Sequence, residues 1–272
     1  MEKNMKSVCI HGHFYQPPRE NPWLEAVEIQ DSATPYHDWN EKITAESYLP
    51  NSAARICNED NRIIDIVDNY SKMSFNFGPT LLDWMKKSAF NVYQAICRSD
   101  KKSCEKFHGH GSAIAQCYNH TIMPLSNTRD KKTQVIWGIE DFKYRFNRMP
   151  EGMWLAETAV NIDSLEALAE EGILFTILAP HQAKKIKKIE EDQWQDPFFD
   201  FYLQSPFLCN LPSGKSIIIF FYDGETSFQI SFQDLLANGE NFAESLLSKV
   251  KYQKKGIESV STDGETFGHH KT

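Results

Sequence analysis

The chain has 272 residues, 41% of them hydrophobic and 24% charged, which supplies enough apolar material for one large core and argues against disorder. The net charge of -8 comes without any basic stripe, so nucleic acid is not an expected partner. No run of about 18 apolar residues exists, so nothing reads as a membrane span, and the apolar stretch Val8–Ile10 is too short for a secretory leader.

In chain order, Ser7–Ile10 reads as a first strand ending in His11, and residues 14–50, rich in Pro, aromatic and polar residues, read as a long functional loop. Asn61–Lys72 carries Ile63, Ile64, Ile66 and Val67 at helical spacing, which predicts a helix. Met73–Phe77 reads as a second strand closed by Gly78 and Pro79, Thr80–Ser99 as a helix, and Ala113–Gln116 as a third strand. Asp130–Phe146 is a predicted helix with Val135, Ile136, Ile139, Phe142 and Phe146 on one side. Gly152–Leu155 reads as a strand, Asp163–Glu171 as a helix stopped by Gly172, and Ile173–Leu178 as an apolar strand. The charged run Lys184–Asp192 reads as a solvated helix face or loop. Ser216–Tyr222 is a further strand, Leu236–Val250 a helix and Ser259–Thr262 the last strand. Alternating strands and helices predict an α/β protein with a parallel sheet. A closed or nearly closed barrel of about seven strands over residues 1–272, one domain, leaves no sheet edge; an open doubly wound sheet is the rival. The six cysteines are scattered without a C-x-x-C pair, which fits reduced thiols and a cytoplasmic location.

In parallel barrels the active site lies at the C-terminal strand ends. His11 and His13 follow the first strand there, Asn119 and His120 the third, Glu157 the fourth, His181 the fifth, and Asp263, Glu265, His269 and His270 the last. His108 and His110 sit just before the third strand. Two carboxylates across a barrel mouth are what glycosidic cleavage needs, one ionised beside the oxocarbenium-like centre and one protonated toward the leaving oxygen. Glu157, with Trp154 and Leu155 as a dry wall beside it, and the last strand's Asp263 and Glu265 are carboxylates at such strand ends. Tyr15, Trp23, Tyr36, Trp39 and Tyr48 in the long loop could stack on the apolar faces of sugar rings, or pack that loop onto the barrel. The His-x-His pairs His11/His13 and His108/His110, with Asp263 or His269, could alternatively build a zinc site, which would make the chain a metal-dependent deacetylase. Asp223-Gly224-Glu225-Thr226 repeats the tetrapeptide at Asp263; Asp263 is preferred because it follows the last strand, and Asp223 is expected to line the mouth.

The run His11-Gly12-His13-Phe14-Tyr15-Gln16-Pro17-Pro18-Arg19-Glu20-Asn21-Pro22-Trp23 resembles the N-terminal motif of glycoside hydrolase family 57, most closely a subgroup with a long C-terminal extension of uncharacterised function. Gly111–Gln116 with Asn119–Leu125, Glu151–Val160, Leu178–Ala183 and Thr262–His270 resemble that subgroup's following blocks, in the same order. The resemblance implies a (β/α)7 barrel of the glycoside hydrolase/deacetylase type, a retaining mechanism, no metal or other cofactor, and α-glucan or maltooligosaccharide substrates for an α-amylase, 4-α-glucanotransferase or branching type of enzyme. It implies Glu157 as nucleophile and Asp263 as acid/base. His11 and His13 would bind sugar near the cleaved bond, with Gln16, Trp23, His120, Trp154, His181, Glu265 and His269 in substrate-binding or supporting places. The family's barrel is followed by a helical domain, so the resemblance also implies that a chain ending seven residues past Glu265 is a barrel incomplete at its C-terminus. An inactive sugar-binding barrel is the remaining alternative.

Overall fold

The first strand, β1 (Lys6–Phe14), runs between two parallel neighbours. It pairs with β7 (Gly256–Asp263) on one side and with β2 (Ser74–Phe77) on the other. The computed structural model describes residues 6–189, 192–196, 205–251 and 256–271. Beyond β2 the parallel order continues through β3 (Ala115–Gln116), β4 (Met153–Trp154), β5 (Phe175–Leu178) and β6 (Ser216–Phe221). Single parallel bridges, Phe75 to Ala113 and Gly152 to Phe175, join the short strands to their neighbours. The spatial order β7-β1-β2-β3-β4-β5-β6 follows the sequence, the arrangement of a TIM-like α/β protein. On the far edge of β6 an antiparallel strand, Phe207–Asn210, occupies the lower part. Above it the Asp223 N–H reaches the Ser259 carbonyl of β7 at 2.7 Å.

Six helices of nine residues or more accompany the strands among the described residues. They are α1 (Pro79–Ser88), α2 (Phe90–Lys106), α3 (Thr128–Phe146), α4 (Ile162–Glu170), α5 (Gly224–Phe232) and α6 (Gly239–Lys251). Four begin at side chains that satisfy a free N–H of the first turn, α6 through Asn238, which accepts from Asn241. Asn127 accepts from Asp130, Asn161 from Ser164 and Asp223 from Thr226. The apolar stripes of α1 (Leu81, Leu82, Met85), α3 (Val135, Ile139, Phe142) and α4 (Leu165, Leu168) close over Phe75, Phe77, Met153 and Leu155 in one core. Helix α3 lies so close to β3 that a Cβ on Gly138 would stand 2.2 Å from the Gln116 carbonyl oxygen.

The expected helix over Asn61–Lys72 is instead a β-hairpin, Ala54–Cys57 paired with Ile63–Val67. Asn58 accepts from the backbone N–H groups of Asp60 and Arg62, and Asn61 sits at φ 57, so the chain turns before the isoleucines. β-Branched residues then extend readily, and Ile63, Ile64 and Ile66 stay exposed. The helix expected over Thr80–Ser99 is two, broken at Ala89, and the second runs on to Lys106. The third strand shrinks to Ala115–Gln116 with a bridge at Ala113, and the helix expected from Leu236 begins at Gly239. The long loop of residues 14–50 carries a two-residue hairpin and short helical turns rather than open coil. In the charged run the four lysines are exposed while Ile186 is buried and pairs with Gln195; Glu190 and Glu191 lie outside the described residues. Among the described residues no helix is long and apolar enough to cross a membrane, and the six cysteines are free thiols, only Cys57 exposed.

Candidate active site

Strand alternation places His11 and His13 on one face of β1, and register sets them beside Ser261 and Asp263 of β7. Asn76, two residues along β2 from Ser74, faces both imidazoles. One tautomer assignment satisfies the shortest contact at each of these ring nitrogens. His11 Nδ1 accepts from Ser74 Oγ at 2.9 Å, and its Nε2–H donates to Asn76 Oδ1 at 3.1 Å. The Asn76 amide donates to His13 Nδ1 at 2.9 Å and to Gln116 Oε1 at 2.7 Å. His13 Nε2–H then donates to His120 Nε2 at 2.8 Å, leaving the His120 Nδ1–H toward the mouth. Trp154 stacks on both imidazoles, 4.9 Å from His11 and 5.2 Å from His13, and Tyr15 stacks on His120 at 3.9 Å. Burial keeps the row neutral: it pulls His11 down to about 4 and His13, aided by His120, down to about 3.

Glu157 leaves β4 through a tight turn in which it and Thr158 both hold left-handed backbone, φ 55 and φ 51. Two consecutive residues with side chains in this region cost on the order of 1–3 kcal/mol each and persist only where surroundings hold them. The Gln182 side chain spans from Thr158 to Ala179, accepting from the Ala179 N–H and donating to the Thr158 carbonyl. The result presents Glu157 to solvent at the strand end while its neighbours Leu155, Ala156 and Thr158 are buried.

Asp263 ends β7 opposite. Burial of its carboxyl raises its pKa, and the charge of Glu157 raises it further, against a smaller opposing effect of His270. Glu265, two residues on, is 6% exposed. It accepts the Tyr48 O–H and, at 3.4 Å, an N–H of Gln16, whose own oxygen accepts from Arg19 at 2.7 Å. Burial pushes the Glu265 carboxyl up to about 7 despite those bonds. The site thus holds an exposed carboxylate, a carboxyl biased toward protonation and a neutral imidazole row between apolar rings. Such a set can attack an electrophilic carbon, supply a proton and donate hydrogen bonds to hydroxyl groups.

The Glycosyl hydrolase family 57 model matches residues 34–272, most of the length of the sequence. The chain belongs to glycosyl hydrolase family 57. Its fold is similar to that of the 4-alpha-glucanotransferase from Thermococcus litoralis, with a TM-score of 0.66 at 16% identity over 98% of this chain and 34% of that one. It is also similar to a maltose-forming amylase from Pyrococcus sp. ST04, with a TM-score of 0.63 at 16% identity over 96% of this chain and 42% of that one. The chain thus spans less than half the length of either. A polysaccharide deacetylase from Mycobacterium smegmatis shares the fold at a TM-score of 0.54 and 12% identity, over 95% of this chain and 77% of that one. No curated protein matches the sequence.

Within this family 57 domain the site residues expected from the sequence do not all meet. His11, His13, His120, Trp154, Glu157 and Asp263 converge, and Gln16 with Glu265 forms the adjoining wall. His269 is half-buried at the rim, its Nδ1 2.5 Å from Glu46 and its ring against the Trp39 edge. His181 is exposed, and Trp23 stands 90% exposed on its loop. His108 and His110 belong to the opposite end: they precede the third strand, and His110 contacts Glu151 at 2.9 Å, below β4. Asp223 does not open on the mouth but caps α5 and pairs with Lys249. Tyr48, a candidate stacking residue, is fully buried and holds Glu265 instead. A zinc site on the histidines finds no support in the geometry. His108 and His110 lie at the end opposite His11 and His13, His11 has both ring nitrogens engaged by Ser74 and Asn76, and His269 pairs with Glu46. No group of three or more His, Cys, Asp or Glu among the described residues is placed to hold a metal ion. Asn76 and Gln182 went unnoticed in the sequence. Asn76 had a signal, a lone amide between Phe75 and Phe77; Gln182 lay within the Leu178–Ala183 block with no role assigned to it.

Proposed function

We propose that this domain is the catalytic barrel of a retaining enzyme acting on α-glucans, with Glu157 as nucleophile and Asp263 as acid/base. The observation that carries the reading is the coupling of these two solvent-facing carboxyls, of which Asp263 is raised by partial burial and by its partner's charge. Two carboxyls that separate in this way divide the roles of attack and proton donation. The Glu157 carboxylate attacks the anomeric carbon, the bond to the leaving sugar oxygen breaks, and the Asp263 proton passes to that oxygen. Water, or a sugar hydroxyl in a transferase, then gives its proton to the Asp263 carboxylate and attacks the anomeric carbon. Glu157 is released and the anomeric configuration retained.

His120, whose pKa burial lowers and the Glu157 charge raises, sits where its Nδ1–H can hold a hydroxyl beside the reacting carbon. His13 donates to His120 and orients it. His11 has both ring nitrogens engaged and is fully buried, so it acts beneath His13 rather than on sugar. Trp154 walls the site, Gln16 and Glu265 stiffen the loop behind Asp263, and Trp23, His181 and His269 serve outer sugar units at the rim. The Asp223–Ser259 hydrogen bond supports closure of the seven strands into a (β/α)7 barrel of one domain. A cytoplasmic location fits the free thiols.

Incubation with maltoheptaose, with and without chelator, tests the reading. Shorter or longer α-glucans unaffected by chelator, and lost in Glu157→Gln, support it. Turnover by Glu157→Gln near the wild-type rate refutes the nucleophile, and glucan turnover that vanishes with chelator refutes the metal-independent mechanism.

A further inference from the structure

Gln182 lies in the turn Pro180–Gln182 after β5, and Glu157 lies in the turn after β4. One side-chain amide joins the two. Gln182 Nε2 donates to the Thr158 carbonyl at 2.5 Å, and Gln182 Oε1 accepts from the Ala179 backbone N–H at 2.8 Å. The bond falls where the backbone is least able to hold itself, since Glu157 and Thr158 are successive left-handed residues with side chains. Such a pair relaxes by rotating a peptide plane, and rotation of the plane after Thr158 would turn its carbonyl away from Gln182. The local hydrogen bonds, Thr158 N–H to Leu155 and Ala159 N–H to Ala156, define a tight turn but leave that carbonyl free for Gln182. The Glu157 carboxylate has no hydrogen bond or ion pair of its own among the described residues. Its direction is therefore set by the backbone, and the backbone is set from outside.

We propose that Gln182 is a positioning residue that locks the turn after β4 in its left-handed form and so aims Glu157 at the reacting carbon. The proposal rests on the reading of Glu157 as nucleophile. A side-chain amide suits the task because it donates to one loop and accepts from the other at once, which neither a carboxylate nor an apolar chain of the same length does. Ala179 and Thr158 belong to adjacent strand ends, so the link also transmits the rigidity of β5 to the turn.

The test compares Gln182→Met, Gln182→Glu and Glu157→Gln with the wild type, reading kcat and KM on maltoheptaose across pH and the unfolding midpoint of each. Gln182→Met is expected to lose about 100-fold in kcat with KM little changed, the scale of a displaced reacting group. Gln182→Glu should lose as much near pH 7, where a carboxylate has no hydrogen for the Thr158 carbonyl, and recover as acid protonates it. A packing role alone would lower the midpoint without the split between kcat and KM or the recovery in acid. Gln182→Met and Gln182→Glu at wild-type kcat beside an inactive Glu157→Gln would overturn the clamp and leave the nucleophile standing. An active Glu157→Gln would instead remove the reading beneath it. Should no variant and no wild type turn over, the crystal structure of Gln182→Met decides. Departure of Glu157 and Thr158 from the left-handed region supports the clamp, and their retention refutes it.

Discussion

Glu265 makes the stability of this domain depend on pH in a direction opposite to most carboxylates. It is 6% exposed and its carboxyl is pushed from the ordinary 4.5 up to about 7, first by burial and also by the charge of Asp263, against the Tyr48 and Gln16 hydrogen bonds. Below 4.5 both folded and unfolded chains carry the proton. Between 4.5 and about 7 the unfolded chain gives it up and the folded chain keeps it, so stability is full at the acid end and falls as pH rises through the folded value. At roughly 1.36 kcal/mol per pH unit, the gap corresponds to about 3 kcal/mol between pH 4.5 and 8. Glu265→Gln keeps the volume and an acceptor oxygen for Tyr48 but does not titrate. Denaturant unfolding of both proteins at pH 5, 6, 7 and 8 isolates the effect, because groups not coupled to Glu265 cancel in the difference. The variant should gain about 3 kcal/mol on the wild type from pH 5 to pH 8, on the order of 5–10 °C in midpoint for a chain of this size. A fixed cost for the new buried amide shifts all four points equally and drops out. A difference that stays flat within about 0.5 kcal/mol, a typical additivity error, would show that Glu265 is ionised in the folded protein and that the Tyr48 bond outweighs burial.

Three further outcomes follow from the same geometry. Asp263→Asn should cut kcat by about 100-fold to 10,000-fold on oligosaccharide and remove the alkaline limb of kcat/KM, since the wild type loses its proton donor as pH rises through the raised Asp263 value. A glucosyl fluoride, whose leaving group needs no proton, should lose less. Asp223→Ala should cost on the order of 1–2 kcal/mol in urea unfolding, by loss of the α5 cap and the Lys249 partner, with kcat per folded molecule unchanged. Gly138→Ala should lower stability by at least about 1–3 kcal/mol, because its methyl would stand 2.2 Å from the Gln116 carbonyl and α3 must move off β3. Circular dichroism melting reads that loss.

The strands were legible because parallel strands buried on both faces read as apolar runs, and the polar residues at their ends stood out against them. The residues 61–72 misled for the opposite reason. Ile63, Ile64, Ile66 and Val67 match a helical stripe, yet three of them face water, so the pattern had no core to answer to. The turn chemistry of Asn58 and Asn61 decided the hairpin. The histidines divide in the same way. His13 and His110 both sit in His-x-His pairs, and only the polarity of the neighbouring strand separates them. His13 follows the direction of β1 to its C-terminal end, while His110 precedes the third strand and so falls at the other end of the sheet. What no local pattern carries is contact across the fold: the Tyr48 to Glu265 bond joins residues 217 positions apart, and the Gln182 to Thr158 bond joins two turns with no shared motif.

The two Asp-Gly-Glu-Thr tetrapeptides show where the information lies. Both follow a strand, and both have Asp at the position before a helical turn. After β6 the turn propagates into α5, so Asp223 is consumed as its cap: Thr226 donates from backbone and hydroxyl, and Lys249 of α6 adds its ammonium. Burial alone would raise that carboxyl, but those bonds outweigh it and hold it down to about 2, permanently ionised. After β7 the turn lasts only Gly264–Thr266, with no cap bond to Asp263 and, among the described residues, no lysine or arginine paired with it. Its carboxyl is left with burial and the charge of Glu157, which push it up against a smaller opposing effect of His270. A single lysine and two further turns of helix therefore separate a structural carboxylate from a carboxyl held above its ordinary range. A cation placed beside Asp263 should convert the second into the first. Thr262→Lys does not reach it, because alternation turns that side chain to the other face of β7, but Ser261→Lys shares the face of Asp263 and His13. That variant should pull the alkaline limb of kcat/KM to lower pH. An unmoved limb would mean that the proton donor of this site is not Asp263.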